Sequence, residues 1–109
     1  MALTTIQPKS SHLPKFRESE AVYQALLKQS TKASITPSEA MRQILGAYLT
    51  KPFKLSSKDL TDGVKDRNWV PLRAEAPLVT GITKAAQKAG VSVGEAIRQI
   101  LRRYLATNR

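Results

Sequence analysis

Residues 92–106 read SVGEAIRQILRRYLA, and residues 36–50 read TPSEAMRQILGAYLT. The two stretches are displaced by 56 positions, as from Glu39 to Glu95. Glu, Ala, Arg, Gln, Ile, Leu, Tyr and Leu are identical in the two copies, far more than chance would give. A repeat of this kind indicates two copies of one structural unit, because the same residue pattern favours the same local structure.

The same displacement continues upstream of the repeated stretch. It relates Phe16 to Leu72 and Arg17 to Arg73, so that each unit is longer than its last helix. This divides the chain into a flexible N-terminal arm (1–11), a first unit (12–50), a linker (51–67) and a second unit (68–109).

The repeated stretch has the pattern of a capped amphipathic helix. Thr36 with Glu39, and Ser92 with Glu95, form a capping box in which a hydroxyl and a carboxylate bind free backbone amides. The apolar positions that follow recur at helical spacing. They are Ala40, Met41, Ile44, Leu45, Tyr48 and Leu49 in the first unit, and Ala96, Ile97, Ile100, Leu101, Tyr104 and Leu105 in the second.

A first helix is predicted ahead of each capped helix, because residues that are apolar, except for Gln29, again recur at helical spacing. They are Val22, Leu26, Gln29 and Ala33 in one unit, and Leu78, Ile82, Ala85 and Ala89 in the other. Gly90 is placed to end the first helix of the second unit, and Ser34 holds the equivalent place in the first unit.

Residues 13–17 and 69–73 lack a helical period and alternate as short strands do. Neither strand is stable alone, and a helix pair of this size cannot bury its own apolar stripe. We therefore expect a mainly α protein in which two β-α-α units dock within the chain and pair their strands.

The linker, KPFKLSSKDLTDGVKDR, is highly charged and contains the turn signal Asp62-Gly63. It is long enough for the two units to meet. Leu55, Leu60 and Val64 either form a short helix or lie against the core. The segment is either a tether with a local helical turn or a part of the chain with a functional role.

The composition restricts the function classes. Lys and Arg number 18 against 8 Asp and Glu, a net charge of +10 that attracts polyanions. The chain has no Cys and its one His is His12, so we expect no enzyme activity, no metal site and no cofactor. It has no apolar run of membrane-spanning length and no secretory signal, so we expect a cytoplasmic, nucleoid-associated protein without a membrane partner.

The stretch GVSVGEAIRQILRRYL, residues 90–105, resembles the second-helix signature of the ribbon-helix-helix superfamily, the Arc- and MetJ-like DNA-binding regulators. Two units in one chain resemble the TraY-type proteins of conjugation. The resemblance covers residues 12–50 and 68–106. It implies an intrachain pseudo-dimer with a two-stranded antiparallel ribbon, which binds double-stranded DNA through the major groove. Further association of chains on DNA stays open.

The resemblance also implies which residues meet DNA. With Phe16 and Leu72 taken as inward-facing, the outward, base-contacting positions are Leu13, Lys15 and Arg17 in the first strand and Trp69, Pro71 and Arg73 in the second. Arginine is suited to the acceptor pair of guanine. The starts of the capped helices are expected to bind phosphates through Thr36, Ser38, Ser92 and Gly94.

Trp69 and Pro71 stand where the superfamily carries polar readers, so the two strands are expected to read unequal half-sites. The leading function is a sequence-specific transcriptional repressor or plasmid or phage regulator. The alternatives are an accessory protein of a relaxosome at a transfer origin, an antitoxin-like interaction module, and a non-specific nucleic-acid binder. Arg98, Arg102 and Arg103 either add phosphate contacts to the second unit or form a solvated face.

Overall fold

The computed structural model describes residues 11–13, 16–58, 60–61, 63, 65, 67–69 and 73–107. In these residues the chain is mainly helical, with four helices and short antiparallel strands. The N-terminal arm up to residue 10 lies outside the described residues, as do Lys15 and Pro71.

The helices lie in two consecutive pairs. Helix α1 runs from Glu20–Lys32 and α2 from Pro37–Thr50. Helix α3 runs from Ala76–Ala89 and α4 from Val93–Thr107. The predicted helices are thus confirmed in type, number and order.

The caps show why the helices begin and end where they do. The hydroxyl of Thr36 accepts a hydrogen bond from the amide of Glu39 at 3.1 Å, and that of Ser92 from the amide of Glu95 at 3.0 Å. Both first helices end at a left-handed residue: Gly90 has a φ of 74°, and its equivalent Ser34 has a φ of 61°. The repeat therefore extends to backbone conformation, even where the second residue is not glycine.

The strands pair between the two halves of the chain. Strand β1 (Ser11–His12) pairs with β4 (Arg73–Ala74), and β2 (Phe16–Glu18) pairs with β3 (Arg67–Trp69), both antiparallel. Paired residue numbers add to 85 in both cases, so the two pairs share one register and form successive parts of one ribbon.

The predicted strands, 13–17 and 69–73, need correction at their ends. The observed pairing begins at Ser11, assigned to the arm, and includes Arg67, assigned to the linker. Between the described pairs the sequence holds Pro14 and Pro71. Proline has no amide hydrogen and cannot donate a hydrogen bond to the neighbouring strand. The alternation of residue types along a strand does not take this into account.

The core forms where α2 and α4 pack against each other and against α1 and α3. Its fully buried aliphatic side chains come from all four helices and from Leu13, which directly follows β1. They are Leu13, Leu26, Leu45, Ile82, Ile97, Ile100 and Leu101. The linker contributes Leu55, which is buried, whereas Leu60 is exposed.

Replacing Leu101 by alanine tests this core, because its side chain is fully buried between the helices. We expect Leu101→Ala to lower the free energy of unfolding by about 2–5 kcal/mol, measured by urea denaturation. The matched control is Leu60→Ala, which truncates an exposed leucine and should change it by less than about 0.5 kcal/mol. Equal losses would show that the helices do not pack as described.

Candidate nucleic-acid interface

The outer face of the ribbon carries two arginines. Arg17 is exposed between buried Phe16 and buried Glu18, and Arg73 is exposed beside buried Ala74. Because side chains alternate between the faces of a strand, this burial pattern directs both arginines away from the core.

The strand register places a cross-strand neighbour opposite each of these arginines. Arg17 lies opposite Asn68, which is exposed, and Arg73 lies opposite His12. The side chain of His12 lies outside the described part of the chain. Asn68 was missed by the sequence analysis. The repeat itself contains the missing signal, because it places His12 and Asn68 at equivalent positions five residues before Arg17 and Arg73.

The orientation expected for Leu13 is wrong. Its side chain is 1% exposed and belongs to the core, so it does not stand on the outer face. Leu13 and Phe16 are both buried although they are three positions apart in the sequence. Strict alternation would put them on opposite faces, so it does not hold through this interval.

The register gives the backbone position of Trp69. Its backbone lies opposite Phe16, a core position, while Asn68 takes the place opposite Arg17. The side chain of Trp69 is outside the described part of the chain, as are Lys15 and Pro71 entirely. A contact of these three with DNA bases therefore stays a prediction.

Each outer arginine is held by a second arginine from a helix of the other unit. A terminal guanidinium nitrogen (Nη1) of Arg42 in α2 donates to the carbonyl of Arg73 at 2.9 Å, and that of Arg98 in α4 donates to the carbonyl of Arg17 at 2.9 Å. The helical arginines are themselves oriented by Glu39 and Glu95, three residues earlier. These equivalent contacts fix the strand backbone from which Arg17 and Arg73 project.

The helix starts lie close to the ribbon. A Cβ atom on Gly94 would stand 3.0 Å from the Cβ of Phe16, so glycine lets α4 begin against β2. Thr36, Ser38 and Ser92 are exposed at the starts of α2 and α4. The free amides and the positive dipole end at the start of a helix are suited to binding a phosphate.

The basic residues of α4 do not form a uniform solvated face. Arg102 binds Glu18 through two hydrogen bonds, 2.6 Å and 3.0 Å long. Arg98 holds Glu95 and the ribbon, and the guanidinium of Arg103 lies 4.4 Å from the centre of the Phe53 ring. Most of these arginines of the second unit therefore bind groups of the protein itself.

One family comparison bears on this geometry. Residues 70–108 match the family model of ribbon-helix-helix proteins of the copG family. The ribbon-helix-helix match covers the described strand β4 and both helices of the second unit. It indicates a DNA-binding regulator. No curated protein and no solved structure matches the chain.

None of the helices in the described residues is long and apolar enough to cross a lipid bilayer. Among the described residues, His, Asp and Glu side chains also form no group of three that would hold a metal ion.

The linker contacts the second unit, and none of its described residues is helical. Gln99 of α4 accepts from the amide of Ser56 at 2.9 Å and donates to its carbonyl at 2.8 Å. The amide and the hydroxyl of Thr61 each donate to the carboxylate of Glu95 at 2.7 Å. These contacts distinguish α4 from α2, whose equivalent Glu39 is more exposed.

The Glu95 carboxylate is the electrostatic centre of this linker contact. Burial by itself would raise its pKa, but hydrogen bonds from Gln99, Thr61 and Arg98 outweigh burial and hold the pKa below its ordinary value. The bound carboxylate thus stabilises the folded chain where it is ionised.

The pKa of Glu95 predicts how the linker responds to acid. A folded-state pKa below the unfolded one gives a stabilisation that is complete above about pH 4.3 and is lost as the pH falls through the folded value. We expect Glu95→Gln to be less stable than the wild type at pH 7, and the difference to shrink towards pH 3, in urea denaturation. A difference independent of pH would exclude the bound carboxylate as its source.

Proposed function

We propose that the chain is a sequence-specific double-stranded DNA-binding protein whose two units pair within the chain and insert their ribbon into the major groove. The observation that carries the proposal is the exposure of Arg17 and Arg73 on the outer face of a two-stranded ribbon. A ribbon of two strands fits the width of the major groove. The family match of residues 70–108 supports the same function.

The register supports an intrachain pseudo-dimer. A displacement of 56 positions carries His12 to Asn68 and Arg17 to Arg73. The same displacement, applied in both directions, therefore converts the cross-strand pair His12–Arg73 into the pair Asn68–Arg17, and both pairs are observed. This is the behaviour of a two-fold axis through the ribbon. The contacts of Arg42 and Arg98 with the strand carbonyls obey the same exchange.

The outer row has chemistry suited to base readout. Guanidinium groups bind the N7 and O6 acceptors of guanine, and an amide such as that of Asn68 pairs with the N6 and N7 edge of adenine. Lys15 extends the set in the first strand, whereas the equivalent position in the second strand is Pro71, which has no polar side chain. The two halves of the ribbon therefore present different groups.

The helix starts complete the proposed interface. Thr36, Ser38, Ser92 and Gly94 stand at the first residues of α2 and α4. Their backbone amides and hydroxyls bind one phosphate on each side of the ribbon, which sets its depth and register in the groove. Such contacts add affinity without selecting a sequence.

Arg17→Ala and Arg73→Ala test base readout on the duplex selected by the wild type from randomised DNA. Each substitution should weaken binding to that duplex by about 5- to 150-fold, because one bidentate contact is worth about 1–3 kcal/mol. Binding to a random duplex should weaken much less. Lys84→Ala is the control, since it removes one exposed positive charge from α3.

Fluorescence anisotropy over a salt series separates the two kinds of contact. Equal loss on both duplexes, matching that of Lys84→Ala, would reduce Arg17 and Arg73 to general electrostatic contacts. Equal wild-type affinity for the selected and the random duplex would refute specific readout, and would favour a non-specific nucleic-acid binder.

The unequal strands predict an asymmetric binding site. Asn68 and Pro71 occupy the places that His12 and Lys15 occupy in the other strand. Base-resolution footprinting of the selected duplex should therefore show two half-sites that differ in sequence and in protection. A perfect palindrome protected equally on both sides would contradict this prediction.

Regulation of transcription by repression is the role we propose first, at a plasmid, phage or chromosomal operator. An accessory role at a transfer origin would use the same ribbon on a different DNA element. The position of the selected sequence distinguishes them: an overlap with a promoter supports repression, and an overlap with a transfer origin supports the accessory role. Both roles place the protein with the nucleoid or a replicon in the cytoplasm.

A further inference from the structure

In the described part of the chain, two ion pairs join the two halves of the protein, and in both the acid comes from the N-terminal half and the base from the C-terminal half. Both acids lie in the first unit, whereas one base, Arg102, lies in the second unit and the other, Arg67, lies in strand β3 at the end of the linker. Glu18 of β2 meets Arg102 of α4 at 2.6 Å, and Glu20 of α1 meets Arg67 of β3 at 2.8 Å. Neither pair is matched by an equivalent pair across the repeat.

The pair of Glu18 and Arg102 is the more consequential, because the carboxylate is completely buried. Both carboxylate oxygens accept from the guanidinium, and one of them also accepts from the amide of Ser19 at 2.8 Å. A buried carboxylate needs such partners, since an ionised group that loses them in the interior is strongly destabilising.

The equivalent positions of the other half carry no charge. The repeat equates Glu18 with Ala74, which is fully buried, and Arg102 with Gly46. A Cβ on Gly46 would meet nothing within 4 Å, and a cavity of about 340 Å³ opens beside it. Where one half holds a guanidinium, the other half leaves space.

The second pair follows the same rule at a more exposed place. Glu20 is equivalent to Ala76, and Arg67 to Ser11. The guanidinium of Arg67 also lies 3.8 Å from the centre of the Tyr23 ring, whose equivalent is a valine. Hydrogen bonds from Gln24 and Arg67 lower the pKa of Glu20.

We infer that Glu18 and Arg102 are pairing-specificity residues: they make each half a partner for the unlike half and not for a second copy of itself. Two first units paired together would bury two Glu18 carboxylates opposite Gly46. Two second units would direct Arg102 towards Ala74. The contacts made by Arg42 and Arg98 exist in both halves and would survive in any pairing, so they do not discriminate.

The consequence is a ribbon that always contains one strand of each kind. This inference goes beyond DNA binding and does not depend on it, because it concerns only how the halves recognise each other. If the DNA proposal failed, the pairing preference would still be measurable.

The test uses the full chain with a specific protease site inserted between Ser57 and Lys58, two exposed residues of the linker. The folded protein is cut, held at the midpoint of its urea unfolding so that the halves exchange, and diluted. Native mass spectrometry then counts mixed and like pairs. Without a preference, about half of the pairs would be mixed; with it, mixed pairs should exceed like pairs by about tenfold or more.

Glu18→Ala/Arg102→Ala removes the buried pair and should bring the mixed fraction down towards about one half. Glu20→Ala/Arg67→Ala is the matched control: it removes one acid and one base across the same contact at a more exposed place, and should change the mixed-to-like ratio by less than about threefold. Statistical pairing of the wild type, or an unchanged preference without Glu18 and Arg102, would overturn the inference. Loss of preference in the control alone would overturn it as well.

A second measurement tests the same inference without cutting the chain, and so applies even if a cut variant does not refold. In the uncut chain, Glu18→Gln, Arg102→Met and the double variant form a double-mutant cycle read by urea denaturation. If the two substitutions acted independently, their effects on the unfolding equilibrium constant would multiply. We expect the measured unfolding constant of the double variant to be at least about tenfold smaller than that product. Independent effects of the two substitutions would contradict a buried pair that selects its partner.

Discussion

The packing of α2 against α4 is the constraint on which the rest of the structure depends. Each of these helices carries an apolar stripe that its own short first helix cannot cover. Burying Ile44 and Leu45 together with Ile100 and Leu101 removes both stripes from water at once. That burial brings the two strand segments side by side, where each supplies backbone partners that the other lacks.

Charged side chains on the helix side of the ribbon stabilise it, in addition to the hydrogen bonds between its two strands. Arg42 and Arg98 bind the carbonyls of the residues that project outward, while Glu18 faces inward and is neutralised by Arg102. Much of the basic charge near the ribbon is thus engaged inside the molecule. A high net charge therefore overstates the number of arginines free to meet a polyanion, and only the folded positions distinguish the two groups.

The linker shows how two nearly identical units become different. Ser56 and Thr61 bind Gln99 and Glu95 of α4, although α2 carries the same two residue types at the equivalent positions. The chain leaves α2 once and can follow only one path across the core, so only one of the equivalent surfaces is covered. Chain connectivity breaks a symmetry that the residue pattern would allow, and it changes the environment of Glu95 relative to Glu39.

The sequence alone determined the helices, their caps and the twofold repeat, because these depend on residues three or four positions apart, whose spacing can be read along the chain. It also placed Arg17 and Arg73 correctly as exposed strand residues. Only the tertiary structure decided the register, which made Leu13 a core residue and Asn68 the partner of Arg17. A strand reveals its faces through residues far away in the chain, and neither the partner of Glu18 nor the path of the linker is encoded in any local spacing.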